Sequence, residues 1–591
     1  MGETIKDLKR THLCGELSKK DNENKVTVMG WVQKRRDHGG VIFTDIRDRT
    51  GIVQVVFNPD LGEELFKKAD TLRSEYVVAI TGEVEARPDG NINPDLATGE
   101  IEIKGEDLRI LDAAKTPPIQ IEDDIDTGED VRLKYRYLDL RRPKMTKMIG
   151  LRHKITKACR DYLDEKGFWE IETPILTKSS PEGARDYLVP SRVNPGQFFA
   201  LPQSPQIFKQ LLMVSGMEKY FQIARCFRDE DLRANRQPEF TQIDIEMSFV
   251  NQEDILEITE GLMKDLFAIG DIEVPAEIKK MSYQEAVDRF GSDKPDLRFG
   301  MELKDLSEAV KNSEFNIFSG TVANGDQVKG INFKGGADSP RSTIDNFEDY
   351  VKMFKAKGLA WMALREDGLK SPIAKFLAEE EIEAIKSKMD AKKGDLLLIV
   401  ADKASIVASA LGNLRLKIAK ENDLIPEEVY EFVWIVDFPL FEYDENEDRL
   451  AALHHPFTAP IEADVEKLDS DPASVKSKAY DLVLNGEELG GGSIRINNHE
   501  LQEKVFSALS ITKEQQQEKF GYLLEAFDYG TPPHGGIAFG LDRLMMIVGR
   551  TDSIRDVIAF PKTQKATSPL TNAPSKVDKK QLQELGISIR S

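Results

Sequence analysis

The first hundred or so residues alternate apolar and polar positions with a period of two. KVTVMGWVQKRRD (25–37), VIFTDIRD (41–48), GIVQVVFN (51–58), EYVVAITGEVEAR (75–87) and IEIKGEDLRIL (101–111) each read as a β-strand. LGEELFKKAD (61–70), between the third and fourth, has helical spacing instead. Five strands with a helix in that place fit an OB-fold barrel, an architecture that often holds single-stranded nucleic acid. The periodicity then breaks. Residues 112–133, with two prolines and an acidic run, predict a linker or hinge. Leu151, Ile155, Ala158, Cys159, Tyr162 and Leu163 recur at helical spacing, and WEIETPIL (169–176) predicts a strand that ends near Pro174.

From 285 to about 425 the pattern changes character. LKDLSEAVKNSEF (303–315), DNFEDYVKMFKAKG (345–358) and AEEEIEAIKSKMDAKKGD (378–395) predict charged helices; GINFKGG (330–336) and DLLLIVAD (395–402) predict strands. This stretch reads as an inserted α+β domain. The strand-rich pattern resumes at VWIVDFPLFEY (433–443). The expected organisation is a barrel at 1–111, a linker at 112–133, a second domain in two parts (134–284 and 426–560) around an insert at 285–425, and a C-terminal extension at 561–591.

A chain of 591 residues is too long for one core, so several domains are expected anyway. With 40% hydrophobic and 31% charged residues it has a globular composition. The longest apolar runs, such as LLLIVA at 396–401, are far too short to span a bilayer, and MGETIKDLKR has no apolar signal core. Three scattered cysteines argue against a disulfide framework or a zinc site and suit a reducing cytoplasm. A net charge of −22 excludes a uniformly basic nucleic-acid platform, but not a local basic patch.

Local patches of chemistry do occur. In the barrel, Lys34, Arg35 and Arg36 are followed by Phe43 and Gln54, a mixture suited to stacking on bases and reading their edges. A barrel with a solvated charged edge explains those residues equally well. In CFRDEDLRANRQPEFTQIDIE (226–246), two strands flank a charged turn. Period two puts Arg228 and Glu230 on one face of the first, and Phe240, Gln242 and Asp244 on one face of the second. A mostly buried sheet does not carry such a face without a ligand to satisfy it. Elsewhere, Asp481 and Glu488 precede a glycine triplet and Arg495 follows it; two carboxylates there suit Mg²⁺ held against phosphates. A tight turn is the simpler account of that stretch taken alone. Arg543 follows the small residues Gly536, Ala538 and Gly540, and Gln206 and Lys209 open an apolar helix. His454 and His455 lack the further ligands that a metal site would need.

Together these motifs resemble bacterial-type aspartyl-tRNA synthetase, a class II synthetase, over essentially the whole chain. WEIETPIL resembles class motif 1, FRDE…RQPEFTQID motif 2 and GIAFGLDR motif 3, with Ala538 where the general motif 3 has glycine. YRYLDLRRP, SPEGARDYLVPSR, ALPQSPQ and NGEELGGGS resemble stretches specific to that family. KMSYQ (280–284) has only a faint likeness to the class I KMSKS loop and lacks a HIGH-like partner upstream.

The resemblance implies an α/β (α+β) multidomain protein: an OB-fold anticodon-binding barrel, an antiparallel-sheet catalytic domain and an inserted GAD-like domain. It implies an aspartate--tRNA ligase that uses ATP and Mg²⁺ and works as a cytoplasmic homodimer. The catalytic residues would be Arg228, Glu488 and Arg543. Aspartate would meet Glu182, Gln206, Lys209, Arg228, Gln242, Asp244, His454 and Arg495. ATP would meet Arg228, Asp229, Glu230, Gln237, Phe240, Glu488, Gly540, Leu541, Asp542 and Arg543, with Mg²⁺ on Asp481 and Glu488. Arg36, Phe43 and Gln54 would contact the tRNA anticodon. His38, in RDHGG, accompanies relaxed tRNA choice in this family, so tRNA(Asn) stands beside tRNA(Asp) as an acceptor; an ordinary loop histidine is the equal alternative. The competing functions are a strictly tRNA(Asp)-specific enzyme, an inactive RNA-binding paralogue, which would have lost Arg228, Glu488 or Arg543, and an amide-forming enzyme, which would not need the barrel.

Overall fold

The computed structural model describes residues 2–179, 185–230, 236–444 and 447–590. It divides into two compact units, one of residues 1–152 with 555–576, the other of 153–554 with 577–591.

In the first unit, strands β1 (Lys25–His38), β2 (Val41–Arg47), β3 (Ile52–Phe57), β4 (Val77–Ala86) and β5 (Ile101–Asp112) close into a barrel in the order β1-β2-β3-β5-β4. Closure removes the sheet edges. Alternate residues fill the interior, among them Ile42, Ile46, Val53, Val55, Phe57, Ile80 and Ile103, and helix α1 (Glu63–Asp70) packs Leu65, Phe66 and Ala69 against them. Gly39 and Gly40 join β1 to β2 with positive φ at both positions, the tight hairpin turn that needs glycine, so His38 sits at an exposed tip opposite Val41. The expected linker is not all loop. Ile119 and Ile121 are buried against Leu138, and residues 129–134 are helical. YRYLDLRRP has a structural task here. Buried Arg136 donates to the carbonyl oxygens of Arg555, Ile558 and Ala559, and both Arg136 and Arg142 pair with buried Asp139.

The predicted amphipathic helix begins earlier than its apolar stripe, as α2 (Pro143–Glu165). In the second unit an eight-stranded sheet is built from β6 (Trp169–Glu170), β7 (Lys219–Phe227), β8 (Glu239–Ser248), β9 (Lys279–Ser282), β10 (Phe432–Val436), β11 (Ala479–Leu484), β12 (Glu487–Ile494) and β13 (His534–Gly540). Its order is β9-β10-β11-β12-β13-β8-β7-β6, antiparallel except for the pairs at either edge. Three helices frame the site: α3 (Gln206–Val214), α4 (Tyr283–Phe290) and, after α5 (Ala404–Glu421), α6 (Leu541–Val548). The strand predicted at 169–176 keeps only two residues. Ile171 N–H still bonds to Phe221, but Pro174 has no N–H to continue the ladder.

Between β9 and β10 lies a separate five-stranded sheet, in the order 304–305, 327–333, 396–402, 360–365 and 368–370, with apolar clusters on both faces. The helix predicted over 303–315 shrinks to Ser307–Val310. Lys304 and Asp305 join the sheet edge opposite Gly330 and Lys329, and a separate helix starts at Asn316.

Candidate active site

Strands β7 and β8 pair in register, Phe240 opposite Cys226 and Gln242 opposite Ala224, so the polar face expected from period two forms. The strand β7 stops at Phe227, and Arg228 is held just beyond it by a backbone bond to Pro238. A cleft of about 420 Å³ opens over this face; Arg228, Glu230, Gln237, Phe240, Glu488, Gly540, Asp542 and Arg543, all expected at ATP, line it, with Gln242, expected at aspartate, beside them. Arg228 lies over the Phe240 ring, 5.1 Å from its centroid, and its buried Nε has no hydrogen-bond partner among the described residues. Glu230 accepts from Arg236 at 2.7 Å. Arg543 donates to the carbonyl of Glu488 at 2.5 Å. Asp542 is buried and accepts the Thr241 N–H, which ties α6 to β8. Two expected nucleotide contacts stand apart from the cleft: the Leu541 side chain is wholly buried, and the Asp229 backbone is engaged by Arg185. Glu182 lies outside the described residues.

A second, buried group adjoins this face. Lys209, from α3, donates to Asp244 at 2.9 Å and lies 3.4 Å from Glu246. Arg495 holds Glu246 with two bonds, at 2.9 and 3.2 Å, and also donates to His455. Gln206 donates to Gln210, which in turn meets His534. Asp244 keeps one oxygen, Oδ2, with no partner among the described residues. Burial presses against the ionised form of Glu246, and the cations Arg495 and Lys209 outweigh it, so its carboxyl sits below its ordinary value. His455 is held well below an ordinary imidazole by burial and by Arg495. His455 faces Arg495 through Nε2, and the Phe457 N–H and the Thr458 hydroxyl through Nδ1.

Lys209 and Arg495, both expected at the substrate, are here part of a buried ionic group. Lys209 and Arg495 do not wait unpaired for a substrate carboxylate, because Asp244 and Glu246 already compensate them. Glu246, Gln210 and His534 were missed, and His455 was named only as lacking the partners of a metal site. For Glu246 the signal was present, since the alternation that placed Phe240, Gln242 and Asp244 on one face continues to it.

Asp481 and Glu488 converge where β11 and β12 pair. A Cβ on Gly491 would lie 2.3 Å from Asp481 Oδ1 and 3.6 Å from Glu488 Oε1. His454 bonds to Asp481 at 3.2 Å, and Lys294 pairs with Glu488 at 2.8 Å. Burial pushes the Asp481 carboxyl up despite His454. For Glu488 burial acts the same way, but Lys294 and Arg543 outweigh it and hold the group down. The His454 imidazole is raised, Asp481 overcoming the effect of burial. Among the described residues no group of three or more His, Cys, Asp or Glu could hold a metal alone. Two neighbouring carboxylates fit Mg²⁺, which typically takes one or two protein carboxylates and completes its shell with water and phosphate oxygens. The Gly491→Ala variant should therefore fold but displace Asp481, weakening magnesium-dependent ATP binding by roughly 10–100-fold; isothermal titration with and without magnesium checks this.

On the barrel, Arg36 and Phe43 face each other across β1 and β2, with Val56 beyond Phe43 on β3. Arg36 is exposed and bonded to Asp45; Phe43 is half-buried. Gln54 is buried, not free: its Nε2 donates to Asp45 and its Oε1 accepts from Arg87.

The antiparallel sheet with a polar cleft, and the barrel with a mixed cationic and aromatic face, define a class II aminoacyl-tRNA synthetase. The chain belongs to the family described as tRNA synthetases class II (D, K and N), which it matches over residues 128–564, and residues 26–111 match the OB-fold nucleic acid binding domain. It is 71% identical to the aspartate--tRNA(Asp/Asn) ligase of Halothermothrix orenii across 100% of both chains. It is 59% identical to the aspartate--tRNA ligase of Clostridium botulinum, over 99% of each. Among solved structures it resembles asparaginyl-tRNA synthetase from Pyrococcus horikoshii complexed with asparaginyl-adenylate, with a TM-score of 0.60 at 20% identity, covering 94% of this chain and 98% of that one. Aspartyl tRNA synthetase from Entamoeba histolytica gives a TM-score of 0.57 at 19% identity, covering 94% and 91%.

Proposed function

We infer that this chain is an aspartate--tRNA ligase, which activates L-aspartate with ATP and transfers it to tRNA(Asp) and tRNA(Asn). The observation that carries aspartate is the buried set Lys209, Arg495, Asp244 and Glu246, two cations and two anions. Asp244 Oδ2, without a partner among the described residues, would take the substrate ammonium. With the α-carboxylate matched by Arg228, the ammonium adds one positive charge to a neutral group, and a side-chain carboxylate on the substrate restores the balance. Asparagine would leave a buried excess charge, a penalty of roughly 3–5 kcal/mol, or a few hundred- to a few thousand-fold.

The aspartate α-carboxylate is ionised at neutral pH and needs no general base to attack the α-phosphate. Arg228 bridges the two anions and reduces their repulsion. Gln242 lies beside the α-carboxylate, and Gln206 joins Asp244 at the ammonium. Glu230 takes the adenine amino edge, Phe240 and Arg543 its faces, and Arg543 also the terminal phosphate. Asp481 and Glu488 would hold Mg²⁺, which when bound would offset the charge of the phosphates. Holding the partners in line is worth roughly 7–11 kcal/mol of barrier. The tRNA terminal ribose hydroxyl then attacks the aspartyl carbonyl of the adenylate.

Trp169, Ile175, Leu176 and Phe198 are exposed apolar residues on and near the short edge strand β6, which supports a homodimer through this segment. Among the described residues no helix is long and apolar enough to cross a membrane, which is consistent with work in the cytoplasm. Aminoacylation of purified tRNA(Asp) and tRNA(Asn) with labelled aspartate tests the reading. Both should be charged, and His38→Ala should lower tRNA(Asn) charging relative to tRNA(Asp). Charging of tRNA(Asp) alone would make the enzyme discriminating; charging of neither would refute the function.

A further inference from the structure

Lys294 lies in GSDKPDLRFG (291–300), the stretch by which the chain leaves α4 for the five-stranded sheet. That stretch is clamped. Arg415 of α5 donates to the carbonyl oxygens of Asp296, Phe299 and Gly300 at 2.7, 2.9 and 3.1 Å, and its guanidinium lies 4.0 Å from the Phe299 ring centroid. Gly291 packs on α5 so closely that a Cβ there would lie 2.2 Å from the Ala408 oxygen. From this fixed backbone Lys294 reaches across to Glu488 of β12 and lines the same cleft as Arg228, Arg236 and Arg543.

Two carboxylates as close as Asp481 and Glu488 need a counter-charge while no nucleotide is bound, and Lys294 supplies it to Glu488. Once a nucleotide brings its own cation, that need ends, and the ammonium is left in a cleft now filled with phosphate. We propose that Lys294 is a nucleotide-binding residue that exchanges Glu488 for the β- and γ-phosphates of the triphosphate and returns to Glu488 when pyrophosphate leaves. This rests on the assignment of the cleft to ATP under the proposed function. It also makes the root of the inserted domain part of the active site.

The full-length Lys294→Gln and Lys294→Arg variants test it by titration with ATP, AMP and pyrophosphate in magnesium, followed by calorimetry. Lys294→Gln should bind ATP and pyrophosphate roughly 10–100-fold more weakly and AMP as the parent does, with an unchanged thermal midpoint. Lys294→Arg should recover most of the loss. Equal weakening of ATP and AMP with a lowered midpoint would mean that the pair only ties 291–300 to the sheet, and would overturn the proposal. So would unchanged affinity for ATP and pyrophosphate. A parent protein that binds ATP but activates no aspartate would refute the ligase reading without touching this result.

Discussion

The Arg495→Leu variant should lose aspartate activation, with kcat/KM for aspartate falling a few hundred- to a few thousand-fold, while ATP affinity stays near the parent value. Arg495 is buried, grips both oxygens of Glu246 and touches His455 and Ser493. Its removal leaves Lys209 as the one cation between Asp244 and Glu246, so a second carboxylate from the substrate enters against an excess of negative charge. The cleft proposed for ATP does not include Arg495 among its lining residues, so adenine and phosphate contacts should persist. Exchange kinetics with aspartate varied, beside a direct ATP titration, separate the two. Lysine at the same position keeps the charge but loses the two-pronged grip, so Arg495→Lys should fall between parent and leucine. Unchanged aspartate kinetics in Arg495→Leu would remove the buried set from the specificity account.

The second large effect is expected at Arg228. Here the loss should appear in kcat for adenylate formation, by roughly 10²–10³-fold, because the proposed role of the group is to serve the charge that develops between the α-carboxylate and the α-phosphate. Arg228 is held above Phe240, and its buried Nε has no hydrogen-bond partner among the described residues. Arg228→Ala should therefore slow single-turnover adenylate formation even at saturating aspartate and ATP. A variant that only raised KM for ATP would show that Arg228 binds the nucleotide and does not act on the reacting groups.

Much of this architecture is legible in the amino-acid sequence, for physical reasons that also explain the gaps. The barrel strands are visible because one face of each is buried and the other wet, which writes a clean period of two. The strand at 169–176 is overread because its apolar residues, Trp169, Ile175 and Leu176, are exposed and fill no core. The helix at 303–315 is overread because local propensity cannot register that Lys304 and Asp305 pair with a strand more than twenty residues away. Within the site, residues on one strand face could be read together, and Glu246 was one alternation further on. Lys294 could not be read that way. It meets Glu488 only because a loop between two sheets is clamped by Arg415, a contact between residues distant in sequence. The amide of Gln54 shows the same limit: its type suggests base reading, but only the fold reveals that Asp45 and Arg87 already fix which way it points.

In this enzyme a neutral buried set of charges is proposed to select an acidic amino acid for activation by ATP. ATP–pyrophosphate exchange with aspartate and asparagine compared side by side on the purified full chain tests it most directly. Exchange should be rapid with aspartate, and kcat/KM for asparagine should be lower by at least a few hundred-fold. Absence of aspartate-dependent exchange, or comparable exchange with asparagine, would contradict it.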